Sequence, residues 1–195
     1  RLVHPTLIIY IPFIALIIGG LIFWFGGLRP RDVGIVRSDI RLGVGVTVAT
    51  WVLMQVTGVA VLFLQGRPIQ IHESWATFGA LTIVGSFLGQ VFGNAFFEEV
   101  VYRAFLFVQL AKKFGRWLDG RRRGAFVLAL LVSQTVFGLI HIPSRLVEGV
   151  PPESLLGAIL VPFLFGVLLS LIYYRTANLF VVIGLHSLIN QPVVL

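Results

Sequence analysis

The chain of 195 residues is 57% hydrophobic and only 12% charged, with a mean hydropathy of +0.97. A soluble domain is about a quarter charged, and no soluble core of this length could bury so much apolar surface. The composition therefore excludes a soluble globular protein, and the absence of cysteine excludes disulfide bonds and thiolate metal sites. The net charge of +7 comes from basic residues between apolar runs, which indicates membrane orientation signals rather than nucleic-acid binding.

Six apolar runs approach or exceed the ~20 residues that a helix needs to cross a bilayer. No repeat or linker separates them, so we predict one membrane domain over residues 1–195. We expect it to be all-α and polytopic, with a polar cavity within the membrane, and to be a multi-pass protein of a prokaryotic cell membrane. The predicted spans are Leu7–Leu28, Leu42–Gln65, Val84–Leu110, Ala125–Ile142, Ser154–Tyr174 and Ala177–Leu195.

The third span could cross the membrane once or twice, because the apolar stretch from Trp75 to Ala111 is ~55 Å long as a single helix. The distribution of charge decides between these topologies. One crossing places the basic loops before the second span and after the third span on the same side as Arg175, as the positive-inside rule requires. We therefore predict a single crossing, with Trp75–Ile83 as an interfacial lead-in.

Glycine and proline positions indicate how the predicted helices pack and end. Gly85, Gly89 and Gly93 repeat at four-residue spacing, which predicts the close approach of a neighbouring helix backbone. Pro143 disfavours helical backbone at Ile142, so we expect the fourth span to end there.

Five ionisable residues lie within the apolar segments, where an unpaired charge at mid-bilayer costs about 2.5–3.5 kcal/mol on insertion scales. These side chains must therefore contact one another or line a hydrated cavity. Glu99 and Arg103 are four residues apart and can form an ion pair on one helix face. The five residues are Glu98, Glu99, Arg103, His141 and His186.

Glu98 lies about 100° round the helix from Glu99, so the predicted ion pair does not occupy it. Asn94 stands one helical turn before Glu98, and Tyr102 stands one turn after it. We interpret Asn94 as a supporting residue of a polar site and Tyr102 as a packing residue.

Three predicted spans bring polar groups to a similar depth. Counted from the basic boundaries, Glu98, His141 and the pair His186 and Asn190 lie roughly 15–26 Å deep. A carboxylate and an imidazole can deprotonate water and later protonate a leaving amine, while an amide and a second imidazole can stabilise an oxyanion. Such a set can hydrolyse a peptide bond with activated water. Glu98, His141 and His186 could instead hold a zinc ion, although the chain has no H-E-x-x-H motif.

These residues resemble the CPBP family of intramembrane proteases, which groups CAAX prenyl endopeptidases with bacteriocin-processing and self-immunity proteins. Its motifs are E-E-x-x-x-R, then F-x-x-x-H, then H-x-x-x-N or H-x-x-x-D, each on its own membrane helix. Here they occur in that order as Glu98–Arg103, Phe137–His141 and His186–Asn190. The resemblance covers roughly residues 84–191 and is to the type 2 CAAX prenyl endopeptidases. It implies an endopeptidase that acts on membrane-associated substrates, and it leaves open whether these are of the prenylated CAAX type.

The resemblance also implies a role for each matched residue. Glu98 would be the general base on water, assisted by His141, and His186 and Asn190 would bind the oxyanion. The arginine of the first motif would hold the second glutamate in place. Because Asn190 ends the third motif in an amide, a poor zinc ligand, we favour a glutamate mechanism without a cofactor and keep zinc as the alternative. The supporting residues are Glu99, Arg103 and Asn94.

Two other classes of function stay open beside the leading hypothesis of an intramembrane endopeptidase. One is a membrane binding or immunity protein that keeps the fold to hold a peptide or partner without chemistry. The other is a proton-coupled transporter, since intramembrane Glu and His residues also form proton relays. The first half of the chain has no counterpart polar set, which the repeats of a transporter would supply. For the endopeptidase the expected partners are a membrane-associated peptide or protein and the lipid bilayer, and no nucleic acid.

Overall fold

The computed structural model describes residues 5–69, 73, 77 and 79–191, and these residues form helices, turns and loops without a β-strand. The first helix, α1, is α-helical at Pro5–Phe13 and π-helical at Ile14–Phe25. The other helices are α2 (Ile40–Leu64), α3 (Ala80–Trp117), α4 (Arg122–Leu139), α5 (Ile142–Val147), α6 (Leu155–Thr176) and α7 (Leu179–Ile189). Short 3₁₀ turns precede α2 and α6, at Pro30–Val33, Arg37–Asp39 and Pro152–Ser154.

Within the part of the chain that the structure describes, five helical segments are long and apolar enough to cross a membrane, which confirms the prediction of an all-α polytopic membrane protein. They are Leu7–Phe25, Arg37–Leu64, Ala80–Trp117, Arg122–Val147 and Pro152–Thr176.

The predicted sixth span corresponds to a shorter helix than expected. α7 has 11 residues and is therefore only ~16 Å long, about half of the ~30 Å hydrocarbon core. It begins after Ala177, whose backbone is left-handed (φ 50°), and ends at Asn190. Residues 192–195 of the predicted sixth span lie outside the described part of the chain. The same holds for Trp75, Ala76 and Phe78 of the predicted interfacial lead-in.

The helix α3 is continuous over 38 residues, as a single crossing by the third span requires. Its α-helical backbone is interrupted by π-helical segments at Gln90–Asn94 and Glu99–Phe107. Such segments are rare and frequently occur at functional sites.

The helical break after the fourth span falls at Ile140 and His141, slightly before the predicted end at Ile142. Pro143 lies in the first turn of α5, where its missing N–H is tolerated.

The described residues group into two compact units. Unit 1 comprises the chain up to Glu99 together with the chain from Asn178 onward, and unit 2 comprises Val100–Ala177. Each unit has its own packing, and the prediction of one domain stays a prediction.

In unit 1, α7 packs along α2 because glycines remove side chains at the contact. Gly43 of α2 is buried, and a Cβ atom there would collide with Phe180 of α7. A Cβ atom at Gly184 of α7 would likewise collide with the hydroxyl of Thr47. That hydroxyl donates to the Gly43 carbonyl at 2.8 Å, so its proton is satisfied within α2.

A buried asparagine fixes the start of α7. The Asn178 side-chain oxygen accepts from the backbone N–H groups of Phe180 at 2.9 Å and Val181 at 3.2 Å, which caps the helix. Its amide nitrogen donates to the backbone carbonyl of Asp39 at 3.0 Å, just before α2. Asn178 therefore sets where α7 begins and holds that end beside the start of α2.

Small residues also bring α1 close to α3 in unit 1. Gly85, Gly89 and Gly93 are all buried, and a Cβ atom at Gly93 would lie 3.5 Å from the Cα of Leu7 and 3.6 Å from the Cβ of Tyr10. This contact agrees with the prediction that the glycine repeat allows close helix packing.

We expect Gly43→Ala to lower the thermal unfolding midpoint by about 2–12 °C, because the added methyl group overpacks α2 against α7 at a cost of ~1–3 kcal/mol. Gly45→Ala is the matched control, since a Cβ atom at Gly45 meets no described atom within 4 Å and alanine favours helix over glycine. Thermal unfolding of both variants in the same detergent measures the difference. A midpoint for Gly43→Ala at or above that of Gly45→Ala would contradict the described packing of α2 on α7.

In unit 2, α4 packs against both the last part of α3 and α6. Alanines on α4 allow the aromatic side chains of α3 to lie close to its backbone, and these residues form a hydrophobic core. Its buried members are Phe107, Phe114, Ala125, Ala129 and Leu130.

Candidate active site

Two carboxylates and an imidazole form a buried cluster in unit 1, called here the acid–imidazole cluster. Glu98 and Glu99 lie where α3 changes from α-helical to π-helical backbone, and His186 lies in the second half of α7. Their exposed fractions are only 8%, 0% and 4%. The first and third sequence motifs therefore meet in space, as their predicted depths required.

The imidazole of His186 lies between the two carboxylates. Its Nδ1 is 2.6 Å from Oε1 of Glu99, a short distance typical of a charge-assisted hydrogen bond in which the ring N–H donates. Its Nε2 is 3.6 Å from Oε2 of Glu98, which is within ion-pair range but longer than a direct hydrogen bond. Glu99 was predicted only as a partner of Arg103, and the structure shows a different contact, with His186.

The bond to Glu99 determines what His186 can do with its other nitrogen. With the Nδ1 proton donated to Glu99, a neutral ring has a bare Nε2 that can only accept a hydrogen bond. Donation from Nε2 to an oxyanion requires the ring to carry both protons, and the two adjacent carboxylates would balance that charge.

Three carboxamides form a second polar cluster in unit 1, called here the amide cluster. The Nδ2 atoms of Asn94 and Asn190 each donate to Oε1 of Gln90 at 3.2 Å. Asn94 and Asn190 were both predicted, whereas Gln90 was missed. The available signal was its spacing, because Gln90 precedes Asn94 and Glu98 at four-residue intervals on α3.

His141 lies in unit 2, in the turn between α4 and α5. Its Nδ1 is 2.7 Å from the backbone carbonyl oxygen of Phe137. A carbonyl only accepts, so Nδ1 carries the proton and Nε2 of the neutral ring has a lone pair available to take a proton. The ring is half-buried and packs edge-to-face on Phe137, with centroids 4.9 Å apart. This orientation and tautomer suit a general base or acid.

Arg103 is fully buried in unit 2, with its guanidinium carbon 4.0 Å from the centroid of the Phe137 ring. This is a cation–π contact in a desolvated setting. The Tyr102 ring packs on the same phenyl ring at 5.1 Å, in agreement with its predicted packing role. Gly166 of α6 makes room for the arginine, because a Cβ atom there would lie 3.1 Å from Nη2. Phe137 therefore contacts both the arginine of the first motif and the histidine of the second.

Two predicted contacts join residues of different units and stay predictions. They are the Glu99–Arg103 ion pair and the approach of His141 to Glu98. The zinc alternative also stays a prediction. Within the described ranges, no group of three His, Asp or Glu side chains is arranged to hold a metal ion.

Comparison with known proteins shows the family of the chain. Curated proteins and solved structures give no match. The family described as type II CAAX prenyl endopeptidase Rce1-like matches residues 80–191, which are more than half of the chain and include all three motifs. The protein therefore belongs to the Rce1-like family of type II CAAX prenyl endopeptidases, a family of membrane proteases.

Proposed function

We propose that this protein is an intramembrane endopeptidase that hydrolyses peptide bonds of membrane-associated, prenylated substrates with water activated by Glu98. The observation that carries the proposal is the acid–imidazole cluster, in which buried Glu98 lies 3.6 Å from His186. Helix packing alone does not require two carboxylates beside one imidazole, and each buried charge has a high desolvation cost. The family match supports the same reaction class.

The proposed reaction begins with proton transfer from water to the Glu98 carboxylate. The resulting hydroxide attacks the carbonyl carbon, and the carbonyl oxygen becomes an oxyanion that accepts from Asn190 and from protonated His186. The C–N bond then breaks as the leaving nitrogen takes a proton, leaving a carboxylic acid and an amine. His141 is proposed to relay this proton, because its bare Nε2 can take a proton from Glu98 or water and return it to the amine.

Glu99 has a positioning role in this mechanism. Its 2.6 Å contact fixes both the ring orientation and the protonated nitrogen of His186. The matching contact for His141 is the Phe137 carbonyl at 2.7 Å. In both histidines Nδ1 is therefore engaged, and we assign the proposed chemistry to Nε2.

Zinc fits the same donor chemistry, because metal-bound histidines usually donate their second N–H to a carboxylate or carbonyl. Glu98, His141 and His186 would hold it, and a bound zinc ion would polarise the substrate carbonyl or the attacking water. We propose the glutamate route, because the third motif contributes an amide at Asn190. An amide is a weak zinc ligand but a good donor to an oxyanion.

The metal question has a direct test. After dialysis against EDTA, we expect the purified protein to retain its kcat within about twofold and to contain far less than one zinc ion per chain. Elemental analysis of the same sample measures the metal. Loss of activity that returns when Zn²⁺ is added would establish the zinc mechanism instead.

The substrate class is tested with a pair of peptides that differ only in the lipid. In proteoliposomes, we expect a farnesylated CAAX peptide to be cleaved with a kcat/KM at least about tenfold above that of the unfarnesylated peptide. The buried prenyl chain contributes ~0.8 kcal/mol per CH₂ to membrane association and so concentrates the substrate. Mass spectrometry of the products measures the cut, and equal cleavage of both peptides would contradict the prenylated substrate class.

A further inference from the structure

The half-buried glutamine of the amide cluster links two helices of unit 1. Oε1 of Gln90 accepts from Asn94 one turn along α3 and from Asn190 at the end of α7, each at 3.2 Å. The second bond joins residues 100 positions apart in the sequence. A carbonyl oxygen has two lone pairs, so these two amides use the full acceptor capacity of the Gln90 oxygen.

This contact determines the orientation of the Asn190 amide. Asn190 is the C-cap residue of α7 and is exposed, and the terminal torsion of a carboxamide has broad, two-fold preferences. An amide without a partner would therefore exchange its N–H and C=O ends. The bond to Gln90 occupies one N–H of Asn190 and selects one orientation, in which the second N–H points away from Gln90.

Gln90 is itself held in place from two sides. It begins the π-helical segment Gln90–Asn94, which packs against α1 and contacts α7. Its side-chain oxygen is fixed by Asn94 as well as by Asn190. Asn94 was predicted to support the site from beside Glu98, and its observed bond supports it through Gln90.

We propose that Gln90 is a positioning residue for the hydrolysis, which orients the Asn190 amide so that its second N–H donates to the oxyanion. The inference rests on the proposed function, because it assumes that Asn190 binds a substrate oxygen. A donor that is already oriented stabilises the transition state without reorganisation during the reaction. The contact is not made to substrate, so its loss changes turnover through Asn190 alone.

The first test compares two substitutions that keep an unbranched side chain. Gln90→Met removes the acceptor, and we expect kcat for the farnesylated peptide to fall about tenfold or more with KM within about twofold. This loss is smaller than the ~10²–10³-fold loss that follows removal of an oxyanion donor itself. Gln90→Glu keeps two acceptor oxygens, and we expect its kcat to stay within about threefold of wild type. A KM effect without a kcat effect, or equal losses in both variants, would overturn the proposal.

The matched control is Gln55→Met in α2. Gln55 is also a half-buried glutamine of unit 1, and its side chain makes no hydrogen bond to any residue that the structure describes. We expect Gln55→Met to keep wild-type kcat and KM. A kcat loss in Gln55→Met as large as that in Gln90→Met would show a general packing effect and would overturn the positioning role.

A double-mutant cycle with Asn190→Ala tests whether Gln90 acts through that amide. The result of the cycle does not depend on small changes in stability. In the Asn190→Ala background, we expect Gln90→Met to cause no further loss of kcat. Independent, multiplying losses would overturn the proposal. Glu98→Gln assayed in parallel separates this result from the proposed function. Full activity of Gln90→Met beside an inactive Glu98→Gln refutes only the role of Gln90, whereas cleavage that survives Glu98→Gln refutes the proposed function.

Discussion

Replacing Glu98 with glutamine is expected to lower kcat for the farnesylated peptide by ~10²–10⁴-fold, which is the usual contribution of a general base. Glutamine has nearly the same shape as glutamate but cannot take a proton from water. The side chain remains beside His186, so the amide can still occupy the buried position in the acid–imidazole cluster. Single-turnover cleavage in proteoliposomes measures the loss, and the thermal midpoint of the same sample measures whether the fold is kept.

Glu153→Gln is the matched control for this experiment. Glu153 is exposed in the 3₁₀ turn before α6 and lies outside the three motifs. We expect it to keep wild-type activity. A Glu98→Gln enzyme with more than a tenth of the wild-type kcat would contradict the role of Glu98 as the base.

Replacing His141 with alanine is expected to lower kcat by a similar ~10²–10⁴-fold while leaving the protein folded. The side chain is half-buried, and its described hydrogen bond is to the Phe137 carbonyl of the adjacent α4 turn. Its removal therefore opens little buried space. Added free imidazole should restore part of the activity, because a small base can occupy the vacated position.

Ser144→Ala is the neighbouring control for His141→Ala. The Ser144 hydroxyl donates to the backbone carbonyl of His141 at 2.8 Å and so bonds to the backbone of the same turn. We expect this variant to stay within about twofold of wild type. Equal losses of activity in Ser144→Ala and His141→Ala would show that activity depends on the structure of the turn and not on the imidazole, which would contradict the role of His141.

The membrane fold could be predicted largely from the apolar runs, because hydropathy depends on local composition. The length of α7 could not. The predicted span ran to Leu195, whereas the helix begins after the Asn178 cap and ends before the C-cap residue Asn190. A cap depends on side-chain geometry, and a single asparagine in an apolar run does not show whether it begins a helix.

The residues of the acid–imidazole cluster could be predicted from the sequence, but their contacts could be predicted only in part. Motif spacing identified Glu98, Glu99 and His186, because charged groups within a membrane must find partners. It did not indicate that one imidazole would reach both carboxylates, since adjacent positions on an α-helix point about 100° apart. The backbone changes to π-helical at Glu99, and helical spacing rules do not anticipate that change.

Gln90 was not predicted from the sequence, for a different reason. A glutamine is uncharged, so it does not stand out among intramembrane polar residues as an acid or a histidine does. Its importance depends on Asn190, which is distant in the sequence and adjacent only after folding. A search for polar residues at four-residue spacing before Glu98 would have found it.

The central claim is that Glu98 and His141 act on the same water molecule, and a double-mutant cycle tests it most directly. Groups that act as a unit show strongly non-additive losses. We predict that Glu98→Gln with His141→Ala cleaves the farnesylated peptide about as fast as the slower single variant, measured by end-point mass spectrometry over hours. A double variant whose loss equals the product of the two single losses would contradict a shared water and with it the proposed mechanism.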